Sequence, residues 1–178
     1  QPWAALREGL RGLNFEALVD RLMAPSAAAG PEAAAAVASR RAAGGRPAAV
    51  LIALAQYPQA TSVVLVEKDA RLRTHAGQVA FPGGGIEAQD GDGASHALAD
   101  RRPTQTDARL TDAMAAIRES FEELGVLLAR RADGSWADAA DIAAIARKLP
   151  PETTFAAACA ARGLRLAADK VYQLAHWT

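Results

Sequence analysis

The 178-residue chain contains one cysteine, Cys159, and its aromatic residues make up only 5% of the sequence. A single thiol excludes any disulfide within the chain and fits a reducing compartment, so we expect a cytoplasmic protein. The scarcity of aromatic residues predicts an aliphatic interior, and much of the 51% hydrophobic fraction is alanine. The length still suffices for about one domain with a core of its own.

The sequence also lacks an excess of charge and a long apolar run. Lys and Arg balance Asp and Glu at 20 each, which gives a net charge of zero. This balance argues against a broad surface for nucleic acid or anionic membranes, since both favour excess positive charge. No apolar run approaches the roughly 20 residues that span a bilayer. We therefore expect neither nucleic acid nor a membrane as a partner.

Residues 1–46 are predicted to form N-terminal helices and an alanine-rich connection. Apolar residues recur at helical spacings over residues 3–23, and Asn14 is the predicted N-cap between two short helices. Residues 24–47 combine alanine with glycine and proline, which is typical of a mobile connection, with a short helix at 31–41.

Short apolar runs after this connection predict strands at residues 48–55, 61–66 and 78–81. The first two are separated by Tyr57, Pro58 and Gln59, which predicts a tight connection. The third is halted by Pro82 and three glycines. Residues 88–108 are polar and rich in Asp, Gly and Arg, so they predict a long exposed loop.

A long amphipathic helix is predicted to begin near Thr106 or Thr111 and to end before Gly134. Its apolar residues recur every three or four positions and define a buried stripe. The members of this stripe are Leu110, Met114, Ile117, Phe121, Leu124 and Leu128. Further helices are predicted at 136–149 and 153–162, and another strand at 171–177.

Carboxylates cluster on the side of this helix opposite the stripe. At about 100° per residue, Glu119 and Glu123 lie one turn apart with Glu122 beside them. Their repulsion costs a few tenths of a kcal/mol per i,i+4 pair, and Arg118 can offset some of it by pairing with Glu122. A bound Mg²⁺ or Mn²⁺ would offset far more, because these cations take hard oxygen ligands. The alternative is an ordinary solvated helix face.

A glycine turn precedes this helix. Residues 72–84 read Leu-Arg-Thr-His-Ala-Gly-Gln-Val-Ala-Phe-Pro-Gly-Gly, and the turn at Gly83 and Gly84 leaves backbone groups free for binding. Gly125, placed inside the predicted helix at a cost of up to about 1 kcal/mol, suggests a close approach of backbone. A glycine turn beside carboxylates suits divalent-metal chemistry on a phosphate ester.

These residues resemble the Nudix box, the G-x5-E-x7-R-E-U-x-E-E-x-G-U signature of Nudix hydrolases. The matching positions are Gly84, Arg118, Glu119, Glu122, Glu123 and Gly125, and the resemblance covers roughly residues 47–130. Residues 72–84 resemble the element leading into the box in the coenzyme A pyrophosphatase branch. The resemblance implies an α/β/α sandwich with a mixed sheet at 47–178, preceded by the N-terminal helices. It also implies a further strand and helix after Thr178.

The chain departs from the signature at several positions. Asp90 stands where the first glutamate is expected, with Glu87 as a competing candidate, and 27 residues instead of seven separate Asp90 from Arg118. This insertion is predicted to be a surface loop, or alternatively a substrate lid or a dimer contact. Ser120 replaces an aliphatic residue or alanine. The coenzyme A branch tends to have Arg-Ser near Lys68, and this chain does not.

The resemblance implies metal-dependent hydrolysis of a diphosphate linkage in a small nucleotide derivative. The implied ligands of Mg²⁺ or Mn²⁺ are the Gly84 carbonyl, Glu119, Glu122 and Glu123, and these glutamates form the catalytic set with Arg118, which would orient one of them. Arg73 and His75 are the implied substrate-binding side chains, together with the backbone of Gly83 and Gly84.

The implied substrate is coenzyme A or an acyl-coenzyme A, cleaved to phosphopantetheine and adenosine 3′,5′-bisphosphate. ADP-ribose or a dinucleotide is the alternative substrate, and a non-catalytic nucleotide-binding module that regulates a partner is the alternative function. A homodimer is common among relatives. Outside this pattern, Cys159 is predicted to be a core residue, His96 to be solvated, and His176 and Trp177 either to line a pocket or to be structural.

Overall fold

The computed structural model of the chain describes residues 46–57, 60–68, 77–145 and 152–174. The chain divides into two compact units. Among the described residues, one unit contains Ala53–Val64 and 172–174, and the other contains Arg46–Ile52 and Leu65–Val171. The predicted N-terminal helices lie outside the described residues, so the domain boundary at residue 46 stays a prediction.

The strands of the described residues are short. They are β1 (Ala48–Val50), β2 (Leu54–Tyr57), β3 (Ala60–Val63), β4 (Val66–Glu67), β5 (Val79–Ala80), β6 (Gly83–Gly85), β7 (Ala129–Arg130) and β8 (Arg165–Leu166). They pair as four antiparallel ladders, β1 with β6, β2 with β3, β4 with β5 and β7 with β8. One parallel bridge joins Ala99 to Leu166.

The first unit contains the hairpin that the sequence predicted. Strands β2 and β3 pair in a register that runs from Leu54 opposite Val63 to Tyr57 opposite Ala60. The Val64 N–H continues the ladder by donating to the Ala53 carbonyl at 2.9 Å. The predicted tight connection between two strands is therefore confirmed.

The predicted strands at 48–55 and 61–66 are each divided in two. Val50 pairs with Gly83 of β6, whereas Leu54 pairs with Val63 of β3, so the chain changes partner over residues 51–53. An apolar run indicates that a segment is buried, but it does not indicate which strand the segment pairs with. The α/β class is confirmed, and the strands expected in one mixed sheet form separate ladders in the described part of the chain.

The helices are α1 (Gly93–Leu98), α2 (Asp107–Leu124), α3 (Ala139–Ile145) and α4 (Phe155–Ala160), with 3-10 turns at Ala88–Gly91 and Ala168–Lys170. Helices α3 and α4 lie inside the predicted spans 136–149 and 153–162. Residues 146–151 are not among those that the structure describes. No strand forms over residues 171–174, which contradicts that part of the prediction for 171–177. Among the described helices, none has the length and apolarity needed to cross a membrane.

The predicted exposed loop at 88–108 is wrong, because this segment folds and packs. Asp92 caps α1 by accepting a hydrogen bond from the Ser95 N–H at 2.6 Å, and Ser95 is buried. Hydrogen bonding by the backbone and then the hydroxyl of Ser95 lowers the pKa of Asp92. His96, predicted to be solvated, is half-buried with Nε2 3.1 Å from the Thr111 hydroxyl. Asp92, one of the residues that suggested a loop, is therefore a helix cap.

The insertion is also tied to the segment that follows β8. Gln105 is buried, and its amide nitrogen lies 3.3 Å from the Ala168 carbonyl. Arg102 donates to the backbone carbonyls of Asp169 and, at 2.9 Å, of Val171. These contacts favour a structural role for the insertion over a substrate lid.

Helix α2 begins where one of the two predicted starts places it. The Thr106 hydroxyl caps it by accepting from the Arg109 N–H at 3.4 Å. The helix ends at Leu124, because Gly125 adopts the left-handed conformation with φ of 67°. Gly125 is thus a C-cap, and the expected close backbone approach is wrong, since nothing described lies within 4 Å of its Cβ position. Leu128 follows the helix and still packs against the core.

The core of the second unit forms against the apolar stripe of α2. Leu110, Met114, Ile117 and Phe121 are buried there, as predicted, and the Phe121 ring lies 5.3 Å from that of Phe155. Other members of the cluster are Leu127, Ala129, Ile145, Cys159, Leu164 and Leu166. Cys159 is fully buried, which confirms its prediction as a core residue. The stripe fixes the rotation of α2, so its polar side must face the glycine strand β6.

Candidate active site

Arg118 lies at the centre of the candidate site and is only 1% exposed. Its Nε and Nη2 donate to the two carboxylate oxygens of Asp90 at 2.9 and 3.0 Å. Nη2 also donates to the Gly85 carbonyl at 2.8 Å. Nη1 donates to Glu119 Oε1 at 3.0 Å and Glu122 Oε2 at 3.2 Å. The guanidinium thus joins α2, β6 and the 3-10 turn through five hydrogen bonds.

The charges around Arg118 compensate its burial. Burial alone would lower its pKa, but the hydrogen bonds and charge of Asp90, with the charges of Glu122 and Glu119, raise it above its ordinary value. The half-exposed Glu122 has a raised pKa, because partial burial and the charge of Glu119 outweigh the attraction of Arg118. The predicted pairing of Arg118 with Glu122 is present, and Arg118 contacts Glu119 as well.

Asp90 binds Arg118 from the 3-10 turn. Its side chain is almost fully buried, and its Oδ2 accepts a further hydrogen bond from the Glu87 N–H at 2.8 Å. Both oxygens of Asp90 are therefore used inside the protein. Glu87, the competing candidate for this position of the signature, is half-exposed and lies 3.8 Å from Arg118 Nη1.

Strand β6 brings the glycine backbone against two of the glutamates. The Gly83 N–H donates to Glu123 Oε2 at 3.0 Å. A Cβ atom on Gly84 would lie 2.5 Å from the carboxylate carbon of Glu119, so only glycine admits that side chain at its present position. Beside this contact is an open groove of about 390 Å³. Its lining residues are Arg46, Pro47, Ala48, Gly84, Gly85, Ile86, Glu87 and Glu119.

Glu123 has a second partner, the ammonium group of Lys68, which the sequence did not indicate. Lys68 Nζ forms an ion pair with Glu123 Oε1, and the two side chains are 21% and 22% exposed. The Lys68 backbone is held by its N–H bond to the Gln78 carbonyl at 2.9 Å and by the Gly77 N–H at 3.0 Å. Both oxygens of Glu123 are therefore engaged.

The donor chemistry of the site suits a hard divalent cation, because the carboxylates of Glu119 and Glu123 lie beside the backbone of β6 and Glu122 is on the same helix. In the described residues, no three His, Cys, Asp or Glu side chains converge closely enough to hold a metal ion as they stand. Each of the three glutamates already has a partner, since Arg118 holds Glu119 and Glu122 while Lys68 and Gly83 hold Glu123.

The structure thus brings together most of the residues that the sequence singled out. These are Gly83, Gly84, Arg118, Glu119, Glu122 and Glu123. Arg73, His75, His176 and Trp177 lie outside the described residues. The sequence reasoning missed Lys68 as a partner of Glu123. No sequence signal linked the two residues, because 55 positions separate Lys68 from Glu123.

Comparison with known proteins points to one superfamily, although no protein-family model matches the chain. A probable Nudix hydrolase from Schizosaccharomyces pombe is 38% identical over 80 residues, 45% of this chain and 21% of that protein. The Nudix hydrolase NudL from Citrobacter koseri is 40% identical over 82 residues, 46% of this chain and 38% of that protein. The chain therefore spans well under half of the length of these relatives.

A solved structure is similar over a longer stretch. The crystal structure of a Nudix hydrolase from Alicyclobacillus acidocaldarius superposes with a TM-score of 0.54 at 28% identity. The match covers 69% of this chain and 57% of that one. The sequence relatives and the solved structure are therefore all Nudix hydrolases, and the chain is similar to that superfamily in sequence and in fold.

Proposed function

We propose that the protein hydrolyses a diphosphate linkage in a nucleotide derivative with the help of Mg²⁺ or Mn²⁺. The observation that carries this proposal is the arrangement of the glutamates of α2, with Glu123 and Glu119 against the backbone of Gly83 and Gly84 and Glu122 bound to Arg118. A solvated helix face does not require a buried arginine beneath it or a glycine backbone in contact with it. Both features fix the positions of carboxylates, which a catalytic site needs.

Each group of this site has a proposed role. Glu119, Glu122, Glu123 and the Gly84 carbonyl would hold the metal, which when bound lowers the pKa of water and neutralises charge on phosphate oxygens. Arg118 orients Glu119 and Glu122 through one nitrogen, Nη1. A glutamate or a water molecule accepts the proton of the attacking water.

The proposed substrate is coenzyme A or an acyl-coenzyme A. This finer assignment rests on the resemblance of residues 72–84 to the coenzyme A pyrophosphatase branch. Arg73 and His75 would bind phosphate groups such as the 3′-phosphate of coenzyme A, because arginine donors match phosphate oxygens. The products would be phosphopantetheine and adenosine 3′,5′-bisphosphate, from attack of water on one phosphorus of the diphosphate.

Product analysis of the purified chain tests this proposal. The chain would be incubated with Mg²⁺ or Mn²⁺ and coenzyme A, acetyl-coenzyme A, ADP-ribose or NADH. Adenosine 3′,5′-bisphosphate should appear from the two coenzyme A compounds. Glu123→Gln should abolish most of that product, whereas Glu152→Gln, which removes an exposed carboxylate outside the site, should retain it.

The other outcomes separate the alternatives. Turnover of ADP-ribose or NADH alone would keep the diphosphatase and exclude coenzyme A as its substrate. Nucleotide binding without turnover of any compound would favour the non-catalytic regulatory module. Equal turnover by the chain and by Glu123→Gln would contradict the proposed metal site.

A further inference from the structure

We propose that Lys68 is a positioning residue that occupies Glu123 in the metal-free protein and sets the affinity of the site for divalent metal. This inference rests on the proposed function, because it takes Glu123 to be a metal ligand. It assigns a role to an ion pair that lies outside the Nudix signature.

Both carboxylate oxygens of Glu123 already have a hydrogen-bond partner. Oε1 is paired with Lys68 Nζ, and Oε2 accepts the Gly83 N–H at 3.0 Å. A metal ion that binds Glu123 must therefore displace or share one of these two partners. Since a metal ion and an ammonium donor compete for the lone pairs of the same carboxylate oxygen, the strength of the existing contact subtracts from metal affinity.

Of the two partners of Glu123, Lys68 is the one that a metal ion can displace. Gly83 N–H is a backbone group in β6, where Gly83 pairs with Val50, and a Cβ there would collide with the Ala49 carbonyl. Such a donor cannot move without breaking the ladder. Lys68 holds Glu123 by a single ammonium on a four-carbon stem, and its side chain is 21% exposed, so it can turn into water at small cost.

Arg118 provides the contrast that makes this assignment specific. It is buried and shares its donors among Asp90, Gly85, Glu119 and Glu122. Its withdrawal would leave buried charges without partners, which is far more costly than exposing a lysine. The site therefore has a fixed cation, Arg118, and a displaceable one, Lys68.

The test is the affinity of the full chain for Mn²⁺ without substrate, measured by titration calorimetry or by the paramagnetic resonance signal of free Mn²⁺. Lys68→Met keeps the apolar stem and should bind Mn²⁺ about two- to tenfold more tightly than the parent chain. Lys170→Met is the matched control, since it removes the same charge from an ion pair with Asp169, and its affinity should stay within about twofold.

A second variant separates occupation of Glu123 from a general effect of charge. Lys68→Arg keeps the charge but offers a planar fork that can hold a carboxylate at two points, so it should bind Mn²⁺ no more tightly than the parent chain. Circular dichroism of both variants checks that they remain folded. Equal or weaker Mn²⁺ binding by Lys68→Met, or equally tightened binding by Lys68→Arg, would overturn the inference.

The diphosphatase assay, run on the same variants at saturating Mn²⁺, keeps the two proposals distinguishable. Tighter Mn²⁺ binding by Lys68→Met without hydrolysis by any chain supports the role of Lys68 and contradicts the proposed function. Hydrolysis with unchanged Mn²⁺ affinity contradicts the role of Lys68 alone. Absence of Mn²⁺ binding to the parent chain and to Lys68→Met contradicts both.

Discussion

Arg118 and Asp90 form a two-point ion pair, with Nε and Nη2 of the arginine 2.9 and 3.0 Å from the two oxygens of the aspartate. Both side chains are almost completely withdrawn from solvent. The pair joins the end of the glycine-rich segment to the middle of α2 across 28 residues of sequence. The ion pair therefore fixes the start of the insertion against the part of α2 that carries the glutamates of the candidate site.

Loss of Arg118 should be strongly destabilising. Arg118→Met leaves Asp90 buried without its counter-charge, and breaking a buried pair in this way costs about 3–5 kcal/mol. Urea denaturation followed by circular dichroism measures the change in the free energy of unfolding. Arg109→Met, on the exposed side of the same helix, is the control and should change it by less than about 0.5 kcal/mol. Equal stabilities of the two variants would contradict the structural role of the pair.

Gly84 should tolerate no side chain without loss of activity. In Gly84→Ala the new methyl group would lie 2.5 Å from the Glu119 carboxylate, which must move away from the β6 backbone. A displacement of about 1 Å in such a site can reduce the rate on the order of a hundredfold. We expect a comparable fall in kcat/KM for the substrate identified by product analysis.

The neighbouring glycine provides the control for this substitution. A Cβ on Gly85 meets no described atom within 4 Å, and Gly85→Ala keeps the carbonyl that accepts from Arg118. Its activity should stay within a few-fold of the parent chain. If Gly84→Ala were as active as Gly85→Ala, the contact with Glu119 would have no catalytic importance.

The candidate site was more predictable from the sequence than the sheet was. Helical spacing alone placed Glu119, Glu122 and Glu123 on the side of α2 away from Leu110 and Ile117, because rotation per residue is fixed by the backbone. Strand pairing depends on partner strands that are distant in the sequence. The apolar runs at 48–55 and 61–66 did not indicate which strands these would be. Each run therefore appeared as one strand where the structure has two.

The errors around the site have a common physical origin. Asp92 and Gly125 are residues that favour loops, yet the first starts a helix with its side chain and the second ends one by adopting positive φ. Lys68 contacts Glu123 although 55 residues separate them in the sequence. The position of Lys68 depends on the pairing of β4 with β5, whose register the sequence did not reveal. Contacts of this kind depend on tertiary structure, and neither composition nor periodicity encodes them.

Removal of the Ser120 hydroxyl should not destabilise the protein. The side chain is fully buried, and its oxygen has no hydrogen-bond partner among the described residues. An unsatisfied buried group is unfavourable, and alanine is also the better helix former, so Ser120→Ala should raise the free energy of unfolding by up to about 1 kcal/mol.

Ser95→Ala is the matched comparison for this prediction. Ser95 is also buried, but its hydroxyl bonds to Asp92 at the start of α1, so the same change should cost about 1 kcal/mol. Urea denaturation of the two variants gives both values. A loss of stability in Ser120→Ala equal to that in Ser95→Ala would show that the Ser120 hydroxyl makes a stabilising contact.

Cys159 should be unreactive in the native protein and should make stability decline at high pH. Burial raises the pKa of its thiol from 9.0 to about 12, so at pH 8 the native thiolate fraction is about a thousandfold below that of the unfolded chain. Labelling by a disulfide reagent should therefore be at least that much slower in native buffer than in urea.

The Cys159 thiol loses its proton at lower pH in the unfolded chain than in the folded protein. The free energy of unfolding is therefore unaffected by this group below pH 9.0 and decreases above it, by at most about 1.4 kcal/mol per pH unit. Between pH 9 and 11 the parent chain should lose stability faster than Cys159→Ala, and parallel losses would mean that the thiol is accessible to water.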